Sequence, residues 1–450
     1  MNTLYEHAFR HVLFPAYEKG LRRRHTLDYM KRYEADQWLD PERLAALQWE
    51  RLRRLLEHCA QEVPYYRRRW RELGIQVGDL RNLADFSALP VLDKAEIRAH
   101  FDEFKADSLK NQLLYKATGG STGEPLRFGY TRESNDRRIA VMWRGYGWAG
   151  ARMGRRTLFL WGGSVGEPTR AHRMKDRIYN AAFGRRMLNT FRMSESTMSD
   201  FADQIDRYRP AVLVGYVGAL YRLAEWLIAT GRRVYAPESI IAAAETLHDF
   251  QRDAMEEAFG APVFNTYGCR EFMLIAAECE HHSGLHINAD HLLVELAGTH
   301  GPVPPGQTGT VVVTDLSNYG MPLLRYGNGD MATSCTQGCP CGRGLPLLAR
   351  VDGRILDVIR TADGRVLPGE FFPHMLKDVP GVTRFQLVQK RLDRLDLAIV
   401  RNAAFNDASL AYIQREIDKV LGQSVELHYH FPDDIPLTRS GKLRVTISEL

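Results

Sequence analysis

Residues 40–73 place Leu44, Leu47, Leu52, Leu55 and Leu56 at helical spacing, with the arginine-rich runs RLRR and YYRRRW between and after them, a pattern that predicts helix. Between residues 113 and 360 the texture alternates. Short β-rich runs such as RRTLFLWGG, PAVLVGYVG, ESIIAAAE, APVFNTYG and TGTVVVTDL are separated by helical stretches, among them 194–209 and 249–259. That alternation predicts an α/β architecture. Near residue 351 the pattern changes again, to DGRILDVIRTADGRVLPGEFF, which reads as strand, turn, strand, then LAIVR, a helix over about 407–421, and VELHYHF. The chain therefore divides into a large unit, 1–350, and a small α+β unit, 351–450. No internal repeat or low-complexity tract interrupts either.

A length of 450 residues suits two or three domains, and 44% hydrophobic with 26% charged residues is the usage of a folded globular chain. The net charge of +5 is too small to argue for a nucleic-acid partner. The charge-free stretch 296–314 carries three prolines and four glycines, so it does not form a spanning helix. Glu6 and Arg10 interrupt the apolar N-terminus, which lacks a small-residue cleavage site, and the expectation is a cytoplasmic protein. The arginine-rich helices leave two readings open: a solvated face whose arginines pair with carboxylates, or a peripheral contact with a polyanion or membrane surface. The sequence is silent on oligomeric state.

Two constellations carry chemistry. In YKATGGSTGEPLRFGYT, residues 115–131, Gly119, Gly120 and Gly123 are interleaved with Thr118, Ser121 and Thr122. Successive backbone N–H groups and hydroxyls of this kind can cradle phosphate oxygens, and the plain alternative is a flexible glycine turn. The spacing is not that of a Walker A loop. The second constellation is Cys279, then His286 after six residues, with Cys339 and Cys341 in GCPCGR. Thiolates and an imidazole suit a closed, structural Zn2+ site, with His281, His282 and Cys335 as substitutes. The alternative is a set of reduced cysteines lining a loop.

NTYGCRE (265–271), DLSNYGMPLLRYGNGD (315–330), GRILDVIRTADGRVLP (353–368) and TRSGKLR (438–444) occur in this order. Together they resemble the motif set of the adenylate-forming superfamily, and within it the branch of phenylacetate-coenzyme A ligases and coenzyme F390 synthetases (the capsule-cluster branch). The resemblance runs from about residue 40 to the C-terminus. It implies a large N-terminal adenylate-forming domain and a smaller mobile C-terminal domain. It also implies ATP-dependent activation of a small carboxylic acid as an acyl-AMP, followed by transfer to coenzyme A. Other members adenylate a phenolic hydroxyl or use another acceptor.

Residue by residue, the resemblance places Thr118, Ser121, Thr122 and Gly123 on the ATP phosphates and Tyr267 on adenine. It places Glu271 on Mg2+, Asp330 on the ribose hydroxyls, Arg354 on ribose or phosphate, and Lys442 on the α-phosphate as the catalytic lysine. Glu245 ends a segment, Ala243–Ala244–Glu245, similar to the family's adenine-edge Gly-Ala-Glu. The chain departs from the family at Glu124, where many members have lysine, and at Leu356, where the hinge is usually acidic and Asp357 follows instead. Trp143, Tyr146, Trp148 and Tyr216 fall where relatives build the acyl pocket, and each also suits ordinary core packing.

Overall fold

A computed structural model describes residues 3–118, 126–162, 170–190, 193–298, 301–354, 359–360, 366–367, 371–376, 379–421, 425–436 and 444–450. They fall into two compact units, one drawn from Met1–Leu247, Gln251–Asn328 and Ala332–Arg350, the other from His248–Phe250, Gly329–Met331 and Val351–Leu450.

In the larger unit the strands are β1 (Leu114–Ala117), β2 (Arg127–Tyr130), β3 (Thr157–Trp161), β4 (Arg185–Asn189), β5 (Val212–Tyr216), β6 (Ser239–Ala243), β7 (Val263–Cys269), β8 (Met273–Glu278), β9 (Leu285–Ile287), β10 (Leu292–Gly298), β11 (Gly301–Pro302), β12 (Thr308–Asp315), β13 (Tyr326–Ser334) and β14 (Leu347–Arg354). β1 and β2 form an antiparallel pair of their own. The others make a mixed sheet in the order β11-β10-β12-β13-β14-β9-β8-β7-β6-β5-β3-β4. From β4 to β7 every pairing is parallel, and from β7 through β8 to β9 it is antiparallel. β5 and β6, VLVGY and SIIAA, are buried along their whole length, as parallel strands covered on both faces must be. One core packs β3, β5 and β6 against Phe201 and Ile205 of the helix Met198–Tyr208, Leu220 and Leu223 of Val217–Thr230, and Met255 and Phe259 of Asp249–Phe259.

The arginine-rich region is two helices, Pro41–Glu62 and Pro64–Leu73. Asp40 caps the first by accepting from the Arg43 N–H at 2.8 Å. It stops at Val63 because the residue before a proline is driven out of the helical region. Its arginines and those that follow are paired: Arg53 with Glu57 at 2.9 Å, Arg67 with Asp107 at 2.8 Å, and Arg68 with both Glu72 and Glu103 at 3.0 Å. These are the contacts of a solvated, charge-paired face. No helix among the described residues is long and apolar enough to cross a membrane.

The helix Arg132–Trp148 buries charge, at Asp136, Arg138 and Arg144, beside the apolar Ala140, Val141 and Trp143. Arg144 forks onto Asp290 at 2.5 and 2.8 Å and also donates to Asn288 Oδ1 at 2.7 Å and the Tyr33 carbonyl at 2.8 Å. Arg138 reaches Asp315 at 2.9 Å. Tyr33 Oη lies 3.1 Å from His291 Nδ1, and burial pushes His291 down to about 4, which keeps it neutral at pH 7.

The smaller unit continues with β15 (Ile359–Arg360) and β16 (Val366–Leu367), paired antiparallel, then β17 (Val382–Arg391), β18 (Arg394–Arg401), β19 (Glu426–His430) and β20 (Thr446–Ser448). The last four form a sheet in the order β19-β18-β17-β20. The helix Asp407–Leu421 contributes Ile413, Ile417 and Leu421 to a core with Leu387, Leu395, Leu397 and Phe372.

Removing one partner from a buried ion pair leaves the other charge unneutralised, at a cost of about 3–5 kcal/mol. Asp290→Ala should lose that much in denaturant unfolding, and a loss below about 1 kcal/mol would show that Arg144 is not held as described.

Candidate active site

In open sheets of this kind ligands bind beyond the carboxyl ends of the parallel strands. β7 is the last of these, parallel to β6 and antiparallel to β8. Glu245 follows β6, directly after Ala244, whose φ is +68°, and its Oε2 accepts from the Gly218 N–H at 2.7 Å. Tyr267 lies in β7, with 8% of its surface exposed. Immediately after it the register slips, a bulge between Tyr267 and Gly268. A Cβ on Gly268 would stand 1.9 Å from the Met273 carbonyl oxygen, so only glycine fits. Glu271 sits in the turn ahead of Met273, itself at φ +66°.

Two residues of β13 hold this hairpin's polar groups. Tyr326 donates its hydroxyl to Glu271 Oε1 at 3.0 Å, and Asn328 Nδ2 donates to Tyr267 Oη at 2.7 Å. All four side chains are buried. Within the RYGNGD run the family resemblance marks only Asp330. The strand alternation that buries Tyr326, Asn328 and Asp330 in turn was the available signal for the other two.

Thr118 ends the β1 side of the glycine-rich segment, where its N–H and Oγ1 pair with the Leu126 carbonyl and N–H, each at 2.9 Å. Asp330 is buried on β13. Arg354 closes β14, its side chain outside the described set. Ser121, Thr122, Gly123, Glu124, Leu356, Asp357 and Lys442 lie outside the described residues.

Of the four aromatics that suit either an acyl pocket or ordinary core packing, Trp143 serves a core. Trp143 packs with Phe9, Phe14, Met153 and Phe183. Trp148 sets its ring 5.4 Å from that of His286 and donates to Gln37 Oε1 at 3.1 Å. Tyr146 packs at the edge of a cluster built on Ala149, Val212 and Val214. Tyr216 ends β5 with its ring centroid 4.3 Å from that of Trp161, which ends β3.

Cys279, His286, Cys339 and Cys341 bring one ligand atom each to within 4.8 Å of one another. Cys279 Sγ and Cys339 Sγ are 3.5 Å apart, and Cys341 Sγ is 3.4 Å from His286 Nε2. A tetrahedral zinc with bonds of about 2.3 Å to sulfur and about 2.0 Å to nitrogen spaces its ligands about 3.5–3.8 Å apart, so the four fit such an ion. His286 Nδ1 faces the Leu345 carbonyl at 3.3 Å, which fixes a proton there and leaves Nε2 as the ligand atom. Burial pushes His286 down to about 4 and Cys279 up to about 12. Burial also raises the Cys341 thiol, but hydrogen bonds and charge from Arg343 outweigh it and hold the thiol below its usual value. His282 turns to Glu278 at 3.2 Å instead. All six cysteines are free of disulfides.

Residues 359–449 match the family described as the CapK C-terminal domain. Over 379 residues the chain is 30% identical to a phenylacetate-coenzyme A ligase of Thermus thermophilus, spanning 80% of this chain and 81% of that one. It is 23% identical to Protein CapK of Staphylococcus aureus over the full length of both. Among solved structures, 2-hydroxyisobutyryl-CoA ligase in a postadenylation state matches with TM-score 0.75 at 22% identity, over 92% of this chain and 91% of that one. The fold is that of the adenylate-forming CoA ligases. The chain belongs to the phenylacetate-coenzyme A ligase family.

Forcing a side chain into a filled space costs about 1–3 kcal/mol. Gly268→Ala should therefore lower the unfolding free energy by about that much and weaken ATP binding, and wild-type values in both would mean that the bulge is not required.

Proposed function

We propose that the protein is an ATP-dependent, AMP-forming acid–thiol ligase. It joins a small, apolar or aromatic carboxylic acid to coenzyme A through an acyl-AMP. The observation that carries this reading is the bulged β7–β8 hairpin, which offers an aromatic ring and a carboxylate together at the carboxyl ends of the parallel strands. A carboxylate is a poor electrophile. Its oxygen attacks the α-phosphorus of ATP and pyrophosphate leaves; the coenzyme A thiolate then attacks the acyl carbon of the mixed anhydride and AMP leaves.

In this reading Tyr267 stacks on adenine, Glu245 lies at its edge and Asp330 accepts the ribose hydroxyls, a bidentate role suited to an ionised carboxylate. Glu271 holds Mg2+, which when bound offsets phosphate charge. Thr118, Ser121, Thr122 and Gly123 cradle the phosphates and Arg354 contacts ribose or phosphate. Trp161 and Tyr216 supply an aromatic wall for the acyl group. Lys442, on a C-terminal domain (351–450) that rotates between half-reactions against the large domain (1–350), stabilises charge at the α-phosphate. The cytoplasm, where ATP and coenzyme A are abundant, is its place of action. The resemblance to the branch that includes coenzyme F390 synthetases carries one second reading, in which the activated acyl group passes to an acceptor other than coenzyme A.

We assign Zn2+ to Cys279, His286, Cys339 and Cys341, with a structural role, since four protein ligands leave no open position. Protein purified without added metal should carry one zinc per chain by elemental analysis, and Cys339→Ser should lose both the metal and stability, because binding and folding are coupled. Metal-free wild type of full stability contradicts the assignment.

The function is tested by pyrophosphate release across a panel of carboxylic acids and phenols, with and without coenzyme A. Acid-dependent release, with a thioester only when coenzyme A is present, is expected. Lys442→Ala should cut that release on the order of a hundred- to a thousandfold, yet convert supplied acyl-AMP and coenzyme A at near wild-type rate. Equal loss in both steps contradicts a lysine confined to adenylation, and supplied acyl-AMP that wild type cannot convert moves the second reading to first place.

A further inference from the structure

We propose that Tyr326 and Asn328 are positioning residues for nucleotide and metal, acting through Glu271 and Tyr267 respectively. The inference rests on the nucleotide reading above and goes beyond it, because neither residue has a role in that reading.

Residues i and i+2 of a strand share a face, so β13 turns both side chains the same way, towards the β7–β8 hairpin. The two bonds differ in kind. Tyr326 donates to one oxygen of a carboxylate, which leaves the other oxygen to face a cation and restricts the rotation of the group. Asn328 donates to a phenol oxygen, so it holds the outer end of the ring in place and sets its tilt. Burial makes both selective: Tyr326 is fully buried and Asn328 is 2% exposed. In such surroundings a polar partner is strongly held to one geometry.

The strand that carries these donors is itself pinned. The Leu92 N–H donates to the Arg325 carbonyl and the Gly327 N–H to the Leu92 carbonyl, each at 2.9 Å, so that segment bridges Tyr326 on the flank. Arg325 adopts φ +49°, donates to Glu295 at 3.1 Å and also bonds the Leu89 carbonyl. A non-glycine residue is held in this left-handed region only where its surroundings enforce it. The frame is rigid where Tyr326 begins, and the hairpin it steadies is the part of the sheet built on a bulge.

The test is calorimetric titration of ATP into the full chain, once with excess Mg2+ and once with EDTA, so that the readout is binding and not turnover. Tyr326→Phe keeps the ring and removes only the hydroxyl. It should weaken ATP binding roughly tenfold in Mg2+ and leave binding in EDTA unchanged, the loss expected for a hydrogen bond to a charged group. Asn328→Ala should weaken binding several-fold in both conditions. Tyr267→Phe should reproduce that loss, and the double variant Asn328→Ala/Tyr267→Phe should be no worse than either single one, because both remove the same contact.

Should Tyr326→Phe lower the melting temperature, the cycle with Glu271→Gln decides: non-additive effects on the Mg2+ arm support the coupling. Equal losses for Tyr326→Phe with and without Mg2+, or additive effects in either cycle, overturn the proposal. Wild type that binds no ATP in either condition overturns the nucleotide reading itself and this inference with it, an outcome distinct from the others.

Discussion

A guanidinium sealed inside the larger unit has to be neutralised where it stands, and Arg144, with 1% of its side chain exposed, sets much of what surrounds it. Its fork needs Asp290, its remaining donors take Asn288 and the Tyr33 carbonyl, and three segments distant in sequence are thereby held together. The constraint travels further. Asn288 Nδ2 donates to the Leu274 carbonyl at 3.1 Å, on β8. The neighbouring Gly145 lets the helix lie so close that a Cβ there would stand 2.5 Å from the Leu274 side chain. β8 is the second strand of the bulged hairpin, so the fixed charge backs the partner of β7, the strand that carries Tyr267.

The segment 286–290, which begins in β9, joins this frame to the cysteine cluster. His286 lies two residues before Asn288, its imidazole against Trp148, the last residue of the helix that carries Arg144. Arg343 supports the cluster from the opposite strand connection, donating to Gln37 at 3.1 Å and to Glu280 at 3.1 Å with its guanidinium over Trp148 and Trp38. A metal here would close a clip between the β8–β9 turn and the 335–341 loop, and in this picture structure and site share one support.

Where local pattern and local chemistry agree, the fold was legible in the sequence. The helices at 249–259 and 407–421 fall at the residues their periodicity gives, and Cys279, His286, Cys339 and Cys341 converge as their spacing suggests. The helix expected over 194–209 is shorter, Met198–Tyr208, because Ser194 first caps a short turn. The helix Arg132–Trp148 resists pattern reading, since its buried face carries Arg138 and Arg144, which a periodicity count scores as solvent-facing. Strand order in the antiparallel half, and the hydrogen bonds of Tyr326 and Asn328, depend on pairings between residues 55 and 61 apart, which no local window contains. Trp143 and Trp148 fall where relatives build the acyl pocket, yet Trp143 packs in a core against Phe183 and Trp148 lies beside His286, partners that come from elsewhere in the chain.

The central claim is that the carboxylate of the acid attacks the α-phosphorus of ATP. Turnover with an acid labelled with oxygen-18 in its carboxylate tests this most directly. Attack at the α-phosphorus leaves one labelled oxygen on the AMP released when the thioester forms, and mass spectrometry of the isolated nucleotide should find it there. Label in inorganic phosphate, with ADP as the nucleotide product, or AMP free of label, would contradict the account.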